Sequence, residues 1–150
     1  MTIVPYTSQY WEDIQKVHDP ARKQELAMAG LDAAFLPLTV AAEREDLFDY
    51  QLYVAVEENT AVGFTAFTED ELAWLYVRPD RQRRGIGRAL AEYAISRMEE
   101  GEKSVEVLCG NEPARNLYRS LGFTKENIVH GVMPGNEAFP VTVWQLTMML

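Results

Sequence analysis

The chain has 150 residues with 23 acidic and 14 basic side chains, so its formal charge at pH 7 is −9 and its sequence pI is about 4.7. This length fits one domain spanning residues 1–150, with a core that needs neither disulfide nor metal. The acidity argues against nucleic acid, no stretch reaches the ~18 apolar residues of a membrane span, and the N-terminus lacks the pattern of a signal peptide, so we expect a cytoplasmic protein without membrane or nucleic-acid partners.

The first fifty residues predict a short strand and three helices. Residues 2–6 are typical of an edge strand, and the apolar spacing over 10–17 indicates a first helix. The triplet His18-Asp19-Pro20 is expected to end that helix and to begin a second one, with Asp19 as its cap and Gly30 just past its end. After a loop interrupted by proline, Thr39 is expected to cap a third helix that ends at residue 49.

From Gln51 onward the pattern changes to runs of β-branched and aromatic residues. Three such runs predict strands over 51–58, 62–70 and 71–79, of which the first two form a hairpin through Asn59-Thr60. The remaining elements are a helix over 86–98, a strand over 103–109, a helix over 112–121, and strands over 123–132 and 141–150, the last two joined by a loop with Pro134, Gly135 and Pro140. This order predicts an α/β fold: a mixed, mostly antiparallel sheet of about six to seven strands with helices on both faces.

The positive charge of the chain is concentrated between a predicted strand and a predicted helix. Residues 78–88 carry a net charge of +4 and the rest carries −13; the arginines concerned are Arg78, Arg81, Arg83, Arg84 and Arg88. Gly85 and Gly87 lie in the same segment and allow a tight turn and a close approach to a ligand. A helix that begins there offers unpaired N–H groups to a phosphate. The segment lacks the third glycine of a dinucleotide loop and the Gly-Lys-Ser/Thr of a P-loop, yet nucleotide binding remains an alternative.

A second motif follows after one helix and one strand: Asn111-Glu-Pro-Ala-Arg-Asn-Leu-Tyr-Arg-Ser-Leu-Gly-Phe123. Together with Gln82-Arg-Arg-Gly-Ile-Gly87, this segment resembles the signatures of the GNAT superfamily of acetyl-CoA-dependent N-acetyltransferases. The resemblance covers residues 51–125 well, whereas the two ends agree only in the order of predicted elements. It implies a GNAT domain that transfers an acetyl group from acetyl-CoA to an amine without a metal.

The resemblance also implies roles for individual residues. Backbone groups of Leu75, Tyr76 and Val77 would pair with the pantetheine arm and the acetyl carbonyl, and Asn111 matches a polar residue near the pantetheine, although it could equally cap a helix. Tyr118 matches the tyrosine that donates a proton to the departing thiolate. The pyrophosphate would be held by Gln82, Arg83, Arg84, Gly85, Ile86, Gly87 and Arg88.

An amine with a pKa of about 10.4 must lose a proton before it attacks, and two carboxylates compete for that role. Glu71 lies an even number of residues before Val77, which predicts that both lie on one face of the strand. Glu106 lies twelve residues before Tyr118, the offset of the catalytic glutamate in the branch of the family that acetylates protein N-termini. Relay through water is the third option. Cys109 is better interpreted as a core residue than as a nucleophile.

The acceptor amine is not identified by the sequence. The resemblance implies a groove between residues 20–50 and 131–140, whose apolar members are Phe35, Leu36, Leu38, Phe48, Tyr50, Met133 and Phe139. Core packing is the better interpretation for most of these. The acids Glu43, Glu45, Asp46 and Asp49 could attract a cationic amine or simply face solvent. A CoA-binding module without turnover is the alternative function, and a homodimer is a possible assembly.

Overall fold

The computed structural model describes residues 1–149 as one seven-stranded sheet with helices on both faces. The strands are β1 (Thr2–Pro5), β2 (Gln51–Glu57), β3 (Thr60–Phe67), β4 (Glu71–Val77), β5 (Glu102–Leu108), β6 (Lys125–Met133) and β7 (Asn136–Met149). The helices are α1 (Trp11–Met28), α2 (Leu38–Arg44), α3 (Ile86–Arg97) and α4 (Glu112–Ser120). The predicted fold class is confirmed, and residue 150, the predicted end of the last strand, lies outside the described residues.

The strand order is β1-β2-β3-β4-β5-β7-β6, and neighbouring strands are antiparallel except for β4 and β5. Helices α1 and α2 pack on one face, where Phe64 and Trp74 join their core cluster. Helices α3 and α4 pack on the other, around Phe67 and Phe123. Within residues 1–149 no helix is both long and apolar enough to cross a membrane.

Helix α1 runs through the predicted break at His18-Asp19-Pro20, so the prediction of two helices was wrong. Pro20 lies inside α1 and lacks the N–H that would bond one turn back. The helix continues because its buried positions on both sides of Pro20 pack into the sheet; these are Ile14, Val17, His18, Ala21 and Leu26. Gly30 follows its end with φ +69°, as the sequence predicted.

Helix α2 begins at Leu38 rather than after Thr39, and it ends at Arg44. Thr39 therefore does not cap it. Instead, the carboxylate of Asp19 accepts a hydrogen bond from the Leu38 N–H at 2.9 Å, across 19 residues of sequence. A separate 3-10 turn covers Leu47–Asp49, after Asp46 with φ +53°. The cap of α2 thus comes from α1, which local sequence could not reveal.

The last two strands are joined by a tight turn rather than by the predicted long loop. Strand β7 begins at Asn136, so Pro140 lies within it, opposite Val132 of β6. β5 begins to pair with β7 only at Val143, and at Pro140 β7 therefore has a neighbour on one side alone. Proline is tolerated at such an unpaired edge because its missing N–H breaks no ladder bond.

Strands β4 and β5 pair over only two positions, Glu71 with Ser104 and Leu72 with Val105. Beyond Leu72 the two strands separate. β4 also has one extra residue relative to β3, because Phe67 pairs with Leu72 whereas Ala66 pairs with Trp74. The gap that opens between β4 and β5 is the feature around which the functional site is arranged.

Candidate functional site

The gap between β4 and β5 exposes backbone groups of both strands. The Arg78 N–H donates to the Val62 carbonyl at 2.8 Å, which makes this couple a hydrogen-bonded pair of the β3–β4 ladder. Hydrogen-bonded and non-hydrogen-bonded pairs alternate in antiparallel sheets. Leu75 and Val77 consequently belong to non-hydrogen-bonded pairs and turn their N–H and carbonyl groups toward the gap. These are two of the three residues that the resemblance implied for the pantetheine arm.

Tyr76 is the exception, because its backbone groups face Phe64 of β3 and not the gap. Its contribution comes from the side chain instead. The Tyr76 hydroxyl donates to Oε1 of Glu25 at 3.0 Å. Burial raises the pKa of Tyr76 far above its usual value, and the negative charge of Glu25 adds to the increase. The expected backbone role of Tyr76 is therefore corrected to a side-chain role.

The opposite wall of the gap is β5, and the same alternation applies there. The Cys109 N–H donates to the Thr142 carbonyl of β7 at 3.0 Å. The alternation along the β5–β7 register therefore places Glu106 and Leu108 in non-hydrogen-bonded pairs, with their backbone groups turned toward β4. The two strands thus turn backbone groups toward each other across a space that neither of them fills. Two of the carbonyls have partners already, since Val77 accepts from the Gln82 side chain and Leu108 from the Asn111 N–H.

The glycine-rich segment leads directly from β4 into α3. Gly85 is the residue before the helix and has φ +84°, a conformation that suits glycine. A Cβ on Gly87 would lie 3.6 Å from Cγ2 of Val77, in ordinary contact. Ile86 buries its side chain in the core, so only its backbone can face a ligand. The Gln82 side chain donates to the Val77 carbonyl at 3.1 Å and fixes the segment against β4.

The five arginines of this segment differ in their surroundings. Arg78 and Arg81 form ion pairs with Asp80, and Arg81 also pairs with Glu57. Arg83 and Arg84 are exposed, and Arg83 has φ +64°. Arg88 lies in the first turn of α3 and donates to Oγ of Ser120 at 2.8 Å. Positive charge therefore accumulates at the N-terminal end of α3, where the helix dipole already favours an anion.

A cavity of about 790 Å³ follows the gap from one face of the sheet to the other. On the α3 side its lining includes Arg83, Gly85 and Gly87. In the middle it is lined by Leu75, Val77, Glu106, Asn111 and Tyr118, and on the α1 side by Arg22, Glu25, Leu36, Glu45 and Met133. Most residues predicted for the cofactor and for catalysis thus line one continuous space.

The side chains of Glu71 and Val77 do not share a face of β4, contrary to the expectation from their even spacing. The extra residue in β4 reverses the alternation, so that Leu72 and Val77 both pack on the α3 side. Glu71 therefore faces the α1 side, near Tyr50. Burial, then Glu106 and Asp70, raise the pKa of Glu71.

Glu106 lies on the same face of the sheet as Glu71. Its neighbours Val105 and Val107 pack into the α3–α4 cluster, so the Glu106 side chain points to the α1 side. There it is exposed and lines the cavity. Both candidate bases are thus on the side opposite to α3, where they also repel each other's charge.

Tyr118 and Asn111 both belong to α4 or its cap. Asn111 caps the helix, since its Oδ1 accepts from the Ala114 N–H at 3.2 Å. It also lines the cavity, so the two interpretations of this residue are compatible. Tyr118 is 6% exposed and lies edge-on to Phe123. Burial first, and the charge of Glu25 second, raise the pKa of Tyr118 above its usual value.

The sequence analysis missed Glu25 and Arg22, which lie one turn apart on α1. Glu25 forms an ion pair with Arg22 and accepts hydrogen bonds from Tyr76 and from Nδ2 of Asn111, the latter at 3.3 Å. Arg22 also contacts the sulfur of Met133 at 3.5 Å. No local motif marks these residues, because their partners lie on β4, at the start of α4 and on β6.

Of the four acids on or after α2, only Glu45 lines the cavity, whereas Glu43, Asp46 and Asp49 are exposed. Burial raises the pKa of Glu45 from 4.5 to about 7; Arg22 opposes this shift, and Glu137 and Glu25 add to it. Among the apolar groove residues, Leu36 and Met133 line the cavity. By contrast, Leu38 is in the core and Phe48 packs on Tyr6 and Trp11.

Several known proteins share part of this sequence. The chain is 37% identical over 78 residues to the peptidyl-lysine N-acetyltransferase YiaC of Escherichia coli, covering 51% of this chain and 52% of YiaC. It is 36% identical over 77 residues to the [ribosomal protein bS18]-alanine N-acetyltransferase of the same species, covering 49% of this chain and 52% of the relative. It is 29% identical over 124 residues to the UPF0157 protein YqkA of Bacillus subtilis, covering 78% of this chain and 35% of YqkA. The chain thus spans about half the length or less of these relatives.

Solved structures share the fold over the whole chain. The ribosomal-protein-alanine N-acetyltransferase of Brucella melitensis superposes with a TM-score of 0.71 at 20% identity, covering 100% of both chains. The PaiA N-acetyltransferase of Thermoplasma acidophilum, in complex with coenzyme A, superposes with a TM-score of 0.70 at 16% identity, covering 99% of this chain and 98% of that one. The family model of the acetyltransferase (GNAT) domain matches residues 48–125. With more than half of its length matched by that model, the chain belongs to the GNAT acetyltransferase family.

Proposed function

We propose that the protein transfers an acetyl group from acetyl-CoA to a primary amine. The observation that carries this proposal is the gap between β4 and β5, where the backbone groups of Leu75 and the N–H of Val77 face, without a partner strand, a cavity that begins at α3 and reaches Tyr118. An extended pantetheine arm has amide groups that can complete such an unfinished ladder. When bound, acetyl-CoA supplies a thioester that an amine can attack without a covalent enzyme intermediate.

The residues at the α3 end of the cavity suit the pyrophosphate. The backbone N–H groups from Gln82 to Arg88 include the first turn of α3, which has no carbonyl partners of its own. The positive φ of Gly85 brings them together, and the arginine side chains add charge. At the end of β4 that precedes this segment, the Val77 N–H is suited to stabilise the negative charge that develops on the acetyl oxygen.

Tyr118 is suited to protonate the departing sulfur. A thiol of this kind has a pKa near ~8.5, so a neutral phenol beside it can donate a hydrogen bond or a proton. Burial keeps the pKa of Tyr118 above its usual value, so that the hydroxyl remains protonated across the physiological range. Its position in the cavity, on the first helix after β5, supports this role.

The amine must lose a proton before it attacks, and Glu106 and Glu71 remain the candidates, directly or through water. Both lie on the α1 side of the sheet, opposite to α3. Glu106 lines the cavity. Burial and the neighbouring acids Glu106 and Asp70 raise the pKa of Glu71, which makes it a stronger base than an ordinary glutamate. Replacing each glutamate by glutamine distinguishes the two candidates. Only the variant that lacks the true base should lose activity near neutral pH and regain it at high pH.

The proposed acceptors include the α-amine of a peptide, a lysine and a small amine. Two relatives are named as acting on peptidyl-lysine and on the alanine of a ribosomal protein, which supports a protein or peptide amine. The proposal also includes a cytoplasmic location and a reaction that involves neither metal nor nucleic acid. A homodimer is also proposed; the edge strand β6, where Ile128 is 62% and Val132 54% exposed, supports it, and sedimentation analysis tests it.

Thiol release tests the main proposal. The purified protein is mixed with acetyl-CoA and, in turn, with a peptide bearing an N-terminal alanine, a lysine peptide with a blocked N-terminus, and spermidine. We expect at least one amine to raise thiol release well above hydrolysis, with an acetylated product of matching mass. If acetyl-CoA binds but no amine raises the rate, the alternative of a CoA-binding module is favoured. If acetyl-CoA does not bind at micromolar concentration, both proposals are wrong.

A further inference from the structure

One carboxylate on α1 joins the two walls of the gap between β4 and β5. The strands stop pairing after Leu72 and Val105. Farther along, the Tyr76 hydroxyl of β4 donates to Oε1 of Glu25 at 3.0 Å, and Nδ2 of Asn111, just after β5, donates to Oε2 at 3.3 Å. Glu25 therefore restores, through its side chain, a connection that the backbones of β4 and β5 no longer make.

The position of this carboxylate is itself fixed. Arg22 forms an ion pair with it from one turn earlier on α1, and the two side chains are 20% and 21% exposed. With Arg22 and Tyr76 on one oxygen and Asn111 on the other, Glu25 accepts from three donors on three elements. A carboxylate held in this way by charged and neutral donors is a good anchor.

The anchor is connected to Tyr118 through α4. Asn111 caps α4 with its Oδ1 while its Nδ2 contacts Glu25, so the start of the helix is fixed to α1. Tyr118 lies two turns farther along the same helix and lines the same cavity. Glu25 lines this cavity as well, and its negative charge contributes to the raised pKa of Tyr118.

We propose that Glu25 is a positioning residue for acetyl transfer: it holds β4 and the start of α4 at a fixed separation and thereby places the Tyr118 hydroxyl. This inference rests on the proposed function. A displacement of a reacting group by about 1 Å can lower a rate by roughly 100-fold. Loosening the anchor should therefore lower kcat, whereas binding at the distant α3 end should change little.

The variant Glu25→Gln tests the anchor itself, without any ligand. Glutamine has the same shape but one carbonyl oxygen, so it cannot accept from both Tyr76 and Asn111. The matched control is Glu12→Gln, an exposed position on the same helix. We expect backbone hydrogen exchange in residues 112–118 to be several-fold faster in Glu25→Gln and unchanged in the control. Equal exchange in all three proteins would overturn the proposal.

Kinetics then test whether Glu25 acts through Tyr118. We expect Glu25→Gln to lower kcat about tenfold with the KM for acetyl-CoA within threefold, and to cause no further loss in a Tyr118→Phe background. Glu25→Asp, which keeps the charge but is shorter, should also lose kcat, and it serves if the glutamine variant does not fold. The proposal is contradicted if the kcat loss of the double variant equals the product of the two single losses. A normal kcat in Glu25→Gln also contradicts it. A wild-type protein without transfer would instead disprove the proposed function, and hydrogen exchange alone would then decide whether Glu25 anchors α4.

Discussion

Burial changes the acid–base behaviour of three side chains around the gap between β4 and β5. Tyr76 and Tyr118 have pKa values raised by burial and by Glu25, so both hydroxyls stay protonated and keep a proton to donate. Glu45 has a pKa of about 7, because burial penalises its charged form. At the scale of single residues, the site thus contains one protonated hydroxyl on α4, a second on β4 beside α1, and a carboxyl next to α2 that titrates near neutrality.

Replacing Tyr118 by phenylalanine removes the proposed proton donor and keeps the ring that packs on Phe123. We expect kcat to fall about 100-fold, with the KM for acetyl-CoA within threefold of the wild type, because general acid catalysis is worth that order of magnitude. Thiol release at saturating amine measures it. Tyr93→Phe is the control, since Tyr93 packs on Tyr53 and Arg97 and does not line the cavity. Unchanged turnover in Tyr118→Phe would remove Tyr118 from the mechanism.

Glu45 makes stability depend on pH. The folded carboxyl keeps its proton up to about pH 7, whereas in the unfolded chain it ionises near 4.5. Between these values the folded protein binds more protons, so stability decreases as pH rises through this window. Glu45→Gln removes the cost of the charge and should stabilise the protein by about 1 kcal/mol at pH 8, after allowance for solvent screening, and by much less at pH 4.5.

Urea unfolding between pH 4.5 and 8 measures this effect. Glu43→Gln is the matched control, because Glu43 lies on the same helix and is exposed. A gain that does not grow with pH, or an equal gain in the control, contradicts the burial of Glu45 as its cause.

At the scale of elements, two interruptions of regular structure create the site. The separation of β4 from β5 leaves the backbone groups of Leu75 and the N–H of Val77 without a partner strand, and the start of α3 supplies unpaired N–H groups beside them. Gly85 and Gly87 stand at that junction for different reasons. Gly85 is required by its φ of +84°, whereas Gly87 has room for a Cβ within the protein, so we expect a larger side chain there to interfere with the ligand rather than with the fold.

Substitutions at the two glycines should therefore differ. Gly87→Val should weaken CoA binding at least tenfold with little loss of stability, because the added methyl groups extend into the cavity. Gly85→Ala should cost about 1–2 kcal/mol of stability, since L-residues disfavour its backbone conformation. Gly30→Ala is the control for backbone strain, with φ +69°, no heavy atom within 4 Å of an added Cβ, and a place outside the cavity. Calorimetry with CoA and urea unfolding measure both quantities, and normal CoA binding to Gly87→Val would reject the assignment of the loop.

At the scale of the whole molecule, the charge is divided between an arginine-rich segment and an acidic remainder. The net charge of −9 repels anions at long range, yet residues 78–88 carry +4 at the start of α3. The charges of Arg78 and Arg81 are partly offset by their ion pairs with acidic side chains. The other three arginines, Arg83, Arg84 and Arg88, lie nearest to the start of α3. Close to these arginines the local positive charge exceeds the overall negative field, so a small anion is attracted there. Salt weakens this attraction.

Arg83→Gln should weaken CoA binding roughly fivefold at low salt and reduce its dependence on NaCl, because Arg83 is an exposed cation that lines the cavity. Arg81→Gln changes the net charge equally but removes a side chain that is paired with Glu57 and Asp80. It should alter CoA affinity less than twofold. Calorimetry at 20 and 200 mM NaCl compares them, and equal effects of the two variants would mean that net charge, and not the position of Arg83, controls binding.

Much of the fold could be predicted from sequence because it depends on local periodicity. The strands from Gln51 onward, the helices after Gly85 and Asn111, and the glycine-rich turn all lie close to where the sequence predicted them. The errors at Pro20 and Pro140 have one cause. In both cases the tertiary structure removes the usual penalty for proline inside a helix or strand. Buried residues on both sides of Pro20 hold α1 against the sheet, and β7 has no second neighbouring strand at Pro140.

The sequence by itself determined the order of elements from Gln51 onward, the candidate anion site before α3 and the candidacy of Tyr118, because each depends on residues adjacent in the chain. Only the tertiary structure decided which backbone groups are unpaired, since that follows from strand register. It also put Glu71 on the α1 side, through one extra residue in β4, and joined Glu25 of α1 to Tyr76 and Asn111. Glu25 is separated by 51 residues from Tyr76 and by 86 residues from Asn111, and contacts over such separations leave no periodic signal in a sequence.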